Sequence, residues 1–229
     1  MKNYKILLFD ADGTLFDFDR AEGYALEKCI VYFEREFQQE LHLKNYREIN
    51  NKIWLDFERG IITAEELKIE RFRQFINKIE EDIKAEVFAE RYLDFLGEAA
   101  FLIEGVEELL SGLSKNYRML ILTNGLAKVQ RKRLALSPIK DYFEDIVISE
   151  ELGIAKPDPD IFQYSLDKMK CNKKDEVLMI GDSISSDIRG GVEYGIDTCW
   201  YNPYQQNAPE EYQPRYQIDD LMDLKKILL

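Results

Sequence analysis

The chain has 229 residues, 45% of them apolar and 33% charged, and a formal net charge of −13. That length holds one sizeable α/β domain or a domain with an insert, and that charge argues against non-specific binding to nucleic acid or to an anionic membrane. No apolar stretch approaches the ~20 residues of a membrane span, no room for a signal peptide precedes the first strand pattern, and Cys29, Cys171 and Cys199 make no disulfide framework, so a cytoplasmic protein is expected.

In chain order, a first buried strand is predicted at Ile6–Phe9, an apolar run that stops abruptly at Asp10. From about Ala21 to Leu96 the text is helical, with apolar residues recurring at three and four. Thr63 and Glu66 form a capping box there, and Gly60 and Gly97 read as helix stops. Four helices are too many for a crossover between two strands, so this stretch reads as an inserted helical subdomain. Beyond it, short apolar runs at Met119–Leu122, Ile146–Ile148, Val177–Ile180 and Thr198–Tyr201 alternate with helix patterns at Val106–Leu113, Leu126–Leu136, Pro159–Met169 and Ile188–Tyr194. Such alternation implies a Rossmann-like α/β core, a parallel sheet with helices on both faces. The segment YNPYQQNAPEEYQP reads as a loop before a last helix near Leu221–Leu228.

His42 is the only histidine. A zinc site built on two histidines is therefore impossible, and no nucleophile pattern near it supports a Ser-His-Asp triad. It reads as a helix-surface residue. Cys29 and Arg35 share the C-x₅-R spacing of cysteine phosphatases. The stretch between them is glycine-free and helical, however, and no cradle of backbone N–H groups can form there.

In open α/β sheets ligands bind beyond the carboxyl ends of the strands. The first strand ends in Asp10 and Asp12, which point to one side while the chain is extended. One suits a nucleophile or metal ligand and the other a general acid/base; an Asp-Gly turn with an exposed Asp is the bland alternative. The second strand ends in Thr123, Asn124 and Gly125, just before a helix expected to start near Gly125. These residues offer a hydroxyl, an amide and backbone N–H groups to a phosphate, though an ordinary N-cap uses the same types. Lys156 follows the third strand and precedes Pro157, where it could neutralise a transferring phosphoryl group or simply be a solvated lysine. The fourth ends in Gly181, Asp182 and Ser183, and Asp182 could complete an oxygen-rich Mg²⁺ site with Asp10. Asp187 is either a support for that site or a cap for the following helix. The end of the fifth strand carries nothing reactive. The convergence carries more weight than any single piece.

The motifs DADGTL, LTNG, AKPDP and GDSISSD, in this order and spacing, resemble the four motifs of the haloacid dehalogenase-like hydrolases. The resemblance implies a Rossmann-like catalytic core (residues 1–17 and 98–229) and an inserted α-helical cap of the C1 type (residues 18–97) that closes over the site. It implies that Asp10 is the nucleophile that forms an aspartyl-phosphate, and that Asp12 protonates the leaving oxygen and later deprotonates water. Mg²⁺ would be held by the Asp10 carboxylate, the Asp12 main-chain carbonyl and Asp182, with Asp187 and Ser183 supporting. Thr123 and Lys156 would bind the phosphoryl oxygens, with Asn124 and Gly125 beside them. Asp12 favours a phosphatase or phosphomutase over a true dehalogenase, which generally lacks an acid there.

Longer stretches, among them IWLDFERGIIT and IGDSISSDIRGGVEYGIDTCWYN, look like the bacterial pyrimidine nucleotidase (5′-nucleotidase) subfamily. That implies hydrolysis of a pyrimidine nucleoside 5′-monophosphate, a small phosphate monoester. The alternatives are a sugar-phosphate or phosphoglycolate phosphatase and a phosphomutase of the β-phosphoglucomutase kind. A receiver-type switch is disfavoured by the large insert, and a catalytically dead binding module by the full set of acids. Phe16, Phe18 and Arg20, just past the first motif, are placed to face the leaving group. Tyr24, Phe33, Trp54, Phe57 and Phe72 offer stacking surfaces for a base, although at helical spacing such residues are more often core. No nucleic-acid or membrane partner is expected, and the protein is expected to be a monomer or homodimer.

Overall fold

The structure, a computed structural model, describes residues 3–229. Contacts divide the chain into two compact units. One comprises Met1–Phe18, Phe101–Ala127 and Leu134–Leu229; the other comprises Asp19–Ala100 and Lys128–Arg133.

The first unit is built on a six-stranded, wholly parallel sheet of order β3-β2-β1-β4-β5-β6. The strands are β1 (Ile6–Phe9), β2 (Arg118–Thr123), β3 (Asp145–Ile148), β4 (Val177–Gly181), β5 (Asp197–Tyr201) and β6 (Tyr216–Ile218). β1 and β4 lie at the centre, with Ile6 beside Val177 and Phe9 beside Ile180. Both are apolar throughout because both faces of a parallel sheet are covered. Ile6, Leu8, Leu120, Leu122, Val177 and Met179 form one face. They pack on Ile161, Phe162 and Leu166 of α8 (Pro159–Lys168) and Tyr194 of α9 (Arg189–Tyr194). The alternate residues Leu7, Phe9, Met119, Ile121, Leu178 and Ile180 are fully buried on the other face. α8 starts where Pro159 at its first position and the Asp158 carboxylate, accepting from the Asp160 N–H, satisfy its free end. The sheet thus has the expected α/β, Rossmann-like architecture.

Sequence patterning misses two elements here. β6 is only three residues long and exists because it pairs with β5; it lies between the expected loop, which ends at Pro214, and the last helix. A π-helical turn, Ile184–Ile188, precedes α9.

The second unit holds α1 (Phe18–Tyr32, from Asp19 onward), α2 (Gln39–Glu58), α3 (Ala64–Lys78) and α4 (Ala85–Glu98). Its core is aromatic. Tyr46 stacks on Phe72, and Phe75, Phe88 and Tyr92 surround them. Phe72, expected as a possible base platform, is wholly buried in this core, whereas Tyr24, Phe33, Trp54 and Phe57 are half-buried. The capping box forms as expected: Thr63 Oγ1 accepts from the Glu66 N–H at 3.2 Å and Glu66 Oε2 from the Thr63 N–H at 2.8 Å.

Two expectations are corrected. Gly60, with φ +69°, follows α2 as a stop should, but Gly97 lies inside α4, which runs on to Glu98. There it keeps clearance from the Lys132 side chain, 3.1 Å from where a Cβ would stand. His42 is not on the surface. His42, Tyr46, Asn50 and Ile53 form the buried stripe of α2, hidden in the sequence by charged neighbours. Its ring lies against Phe37 and Phe75, and its Nδ1 accepts the Gln38 N–H at 3.1 Å. As expected, α6 (Ala127–Leu136) begins near Gly125, with Leu126 at its N-cap position. The Ala127 N–H is taken by Glu150 Oε2 at 2.6 Å, on the short helix α7 (Ser149–Leu152). α5 (Val106–Leu113) and α10 (Leu224–Leu228) complete the fold. Among the described residues no helix is long and apolar enough to cross a membrane.

Candidate active site

The strand order decides which loop tips meet. β1 is central, and the Asp10 N–H continues the ladder to the Ile180 oxygen at 2.9 Å, so the rigid strand delivers Asp10 to the sheet edge. The chain then turns at Gly13, whose φ is +80°. A Cβ there would stand 2.5 Å from Asp182 Oδ2, so only glycine permits both the turn and the approach of Asp182.

Lys156 is the hub. Only 2% exposed, it comes from the loop beyond α7. Its Nζ donates to Asp10 Oδ1 at 2.6 Å, Asp187 Oδ1 at 2.6 Å and the Leu122 oxygen at 2.7 Å, which uses all three hydrogens of the ammonium. Asp187, fully buried on the π-helical turn, also accepts the Ser183 N–H on Oδ2 at 3.0 Å. It does not cap α9. Gly181 passes directly beneath it: a Cβ there would stand 2.2 Å from Asp187 Oδ2. Asp182 is held twice, with Oδ1 accepting from Thr14 Oγ1 at 3.1 Å and its main-chain oxygen from the Trp200 indole at 2.8 Å.

Carboxylate oxygens of Asp10, Asp182 and Asp187 lie within 4.8 Å of one another. One ammonium faces three carboxyl groups in a buried site, so with all three ionised two negative charges would be unmatched. Burial pushes the Asp10 carboxyl well above its usual range; Lys156 opposes this, while Asp187 and Asp182 add to it. Asp182 is pushed up to about 7 by burial and by Asp187. Burial by itself would lower Lys156, but the charges of Asp10 and Asp187 outweigh it and hold the ammonium firmly protonated. An oxygen-only cluster short of two positive charges fits a hard divalent cation such as Mg²⁺. Asp10 and Asp182 are the carboxylates that would hold it, since both Asp187 oxygens already accept hydrogen bonds.

The other expected residues fall as follows. Asp12 is half-buried in the turn, pairs with Phe16 as an isolated bridge, and contributes no carboxylate to the cluster. Thr123 ends β2 buried; its Oγ1 accepts the Gly125 N–H at 3.0 Å, leaving the O–H as a donor. Asn124 turns its amide to Lys156. Ser183 opens the π-helical turn, accepting the Ser186 N–H. Phe18 is half-buried at the start of α1, and Arg20 is exposed on its first turn. Sequence reasoning passed over Thr14 and Trp200. The only signal for Trp200 is that a buried indole N–H ordinarily needs a partner, and nothing in a strand pattern says which one.

A model of the haloacid dehalogenase-like hydrolases matches residues 4–195. The chain belongs to that family. It is therefore an enzyme, a hydrolase. It is 33% identical to the pyrimidine 5′-nucleotidase YjjG of Escherichia coli K12 over 222 residues, 97% of this chain and 96% of that one. It is 35% identical to the pyrimidine 5′-nucleotidase PynA of Streptococcus pneumoniae, over 96% and 93% of the two chains. Among solved structures, that of YfnB from Bacillus subtilis bound to magnesium, which reveals interdomain movement, superposes with a TM-score of 0.94 at 34% identity over 99% of both chains. The four motifs resembled this family by residue type; in the fold, Asp10, Lys156, Asp182 and Asp187 stand together.

Proposed function

We propose that this hydrolase is a Mg²⁺-dependent phosphatase that cleaves small phosphate monoesters through a phospho-Asp10 intermediate, with pyrimidine nucleoside 5′-monophosphates as its substrates. The observation that carries the chemistry is the grip of Lys156 on Asp10 Oδ1. It orients the carboxylate and leaves Oδ2 to attack phosphorus in line. As the new P–O bond forms, the ester P–O bond breaks, and Asp12 as a carboxylic acid protonates the leaving alkoxide. Asp12, now a carboxylate, takes a proton from water; the water oxygen attacks phosphorus, and the bond to Asp10 breaks to release phosphate. The Thr123 hydroxyl donates to a phosphoryl oxygen and the positive charge of Lys156 offsets the charge gathering there, and such alignment and neutralisation are most of what phosphoryl transfer asks of a protein. A bound Mg²⁺ would add charge neutralisation at the attacking and phosphoryl oxygens. The two full-length nucleotidase relatives support the substrate class.

The test is phosphate release from UMP, dUMP, dTMP, CMP, AMP, phosphoglycolate and hexose phosphates, with Mg²⁺ or EDTA, for wild type and Asp10→Asn. Metal-dependent release from the pyrimidine monophosphates, lost in Asp10→Asn, is the expected result. Release confined to sugar phosphates would replace the substrate class and keep the mechanism. Isomerised hexose phosphate without free phosphate would replace the reaction.

A further inference from the structure

Asn124 follows Thr123 at the carboxyl end of β2, where a substrate ligand would be sought. Its amide is engaged elsewhere. Nδ2 donates to the main-chain oxygen of Lys156 at 2.8 Å, and Oδ1 accepts the main-chain N–H of the same residue at 2.8 Å. An amide that closes on one residue's own N–H and C=O reproduces the paired bonds of a β-ladder. Lys156 belongs to no strand, and its main chain has no ladder partner of its own. The end of β2 therefore grips Lys156 twice: the Leu122 oxygen holds Nζ and the Asn124 side chain holds the backbone. Thr123 lies between them, on the opposite side of the strand's alternation.

We propose that the Asn124 side chain is a positioning residue. It fixes the main chain from which the Lys156 ammonium reaches Asp10, and it is not itself a ligand of the phosphoryl group. A lysine has four rotatable side-chain bonds, so a head group placed by three hydrogen bonds is only as well aimed as the Cα that carries it. A buried main-chain N–H and C=O outside any sheet must find partners, and Asn124 supplies both at once. Small misplacements of a charge that aligns reacting groups are costly in rate. The kinetic part of the test rests on the phosphatase reading; the exchange part does not.

The experiment has two arms. Hydrogen exchange at the Lys156 amide is measured by NMR in wild type, Asn124→Ala and Asn124→Asp. Exchange at least about tenfold faster in Asn124→Ala, and intermediate in Asn124→Asp, which keeps the acceptor, is expected. Asn124→Asp carries the comparison if Asn124→Ala fails to fold. In the second arm, kcat/KM for p-nitrophenyl phosphate with Mg²⁺ is measured in a cycle with Lys156→Gln. Asn124→Ala should cost about 10–100-fold in the wild-type background and less than about twofold where Lys156 is already replaced. Unchanged exchange at Lys156, or equal losses in both backgrounds, would overturn the proposal. A wild type that releases no phosphate from any ester would instead count against the phosphatase reading, and the exchange result would still decide this one.

Discussion

The indole N–H of Trp200, at the end of β5, donates to the main-chain oxygen of Asp182 at 2.8 Å. Trp200 is 1% exposed and cannot turn its indole elsewhere. The bond sets the path of the loop after β4 and so the direction of the Asp182 carboxylate. Trp200→Phe keeps most of the packing and removes the donor. It should weaken the apparent affinity for activating Mg²⁺ about tenfold or more and cost about 1–3 kcal/mol of stability through the orphaned carbonyl. Mg²⁺ titrations of the initial rate, paired with urea unfolding, check this; an unchanged Mg²⁺ response would remove Trp200 from the account.

Gly181 and Gly112 make a matched contrast. At Gly181 a methyl would meet the Asp187 side chain at 2.2 Å, and Asp187 cannot yield because Lys156 and the Ser183 N–H hold it. At Gly112, in the last turn of α5, a methyl meets nothing within 4 Å. Gly181→Ala should therefore abolish activity and lower the melting temperature. Gly112→Ala should leave activity intact and stabilise by about 0.4–1 kcal/mol through the stiffer unfolded chain. Melting curves and rates for both variants test the pair, and a functional Gly181→Ala protein would contradict the geometry.

The uncompensated carboxylates predict a thermal signature of the metal. Saturating Mg²⁺ should raise the melting temperature of the metal-free protein, by roughly 2–4 °C for each kcal/mol of binding linkage. Asp182→Asn removes one buried charge beside Asp187. It should melt higher than wild type without metal, respond little to Mg²⁺, and be inactive, the ordinary conflict between stability and a charged site. A wild-type melt that ignores Mg²⁺ would count against the metal assignment.

His42 is a clean pH probe because it is the only histidine. Burial holds its imidazole below the usual value. The unfolded chain therefore takes up a proton near pH 6.5, while the folded chain still resists it. The stability His42 contributes is present in full above the unfolded value and is lost as pH falls through the folded one. NMR should show a single imidazole titrating below about 6.5, with the proton on Nε2 because Nδ1 accepts the Gln38 N–H. His42→Gln should flatten the fall in melting temperature between about pH 7.5 and 6. A His42 that titrates at or above its ordinary value would contradict its burial.

What could be read from the sequence was local. Runs such as Ile6–Phe9 and Val177–Ile180 announce buried parallel strands, because a strand covered on both faces must be apolar throughout. Thr63 and Glu66 announce a helix start because both partners lie within one turn. The acids and the lysine proposed to carry the chemistry follow directly on strands or short loops, so residue type and spacing alone single out Asp10, Asp12, Thr123, Lys156, Asp182 and Asp187 as candidates.

What needed the fold was every relation between distant segments. The order β3-β2-β1-β4-β5-β6 brings Lys156 onto Asp10, 146 residues away in sequence. β6 is a strand only because β5 offers it a ladder. His42 is buried only because Phe37 and Phe75 close around it. Trp200 and Asn124 have the look of a core residue and a cap, and only their partners, Asp182 and Lys156, reveal what they hold. Hydrophobic period and capping act over one or two turns and are written in neighbouring residues. Burial, pairing and charge balance depend on which chain segments meet, and that is settled by packing the whole sheet.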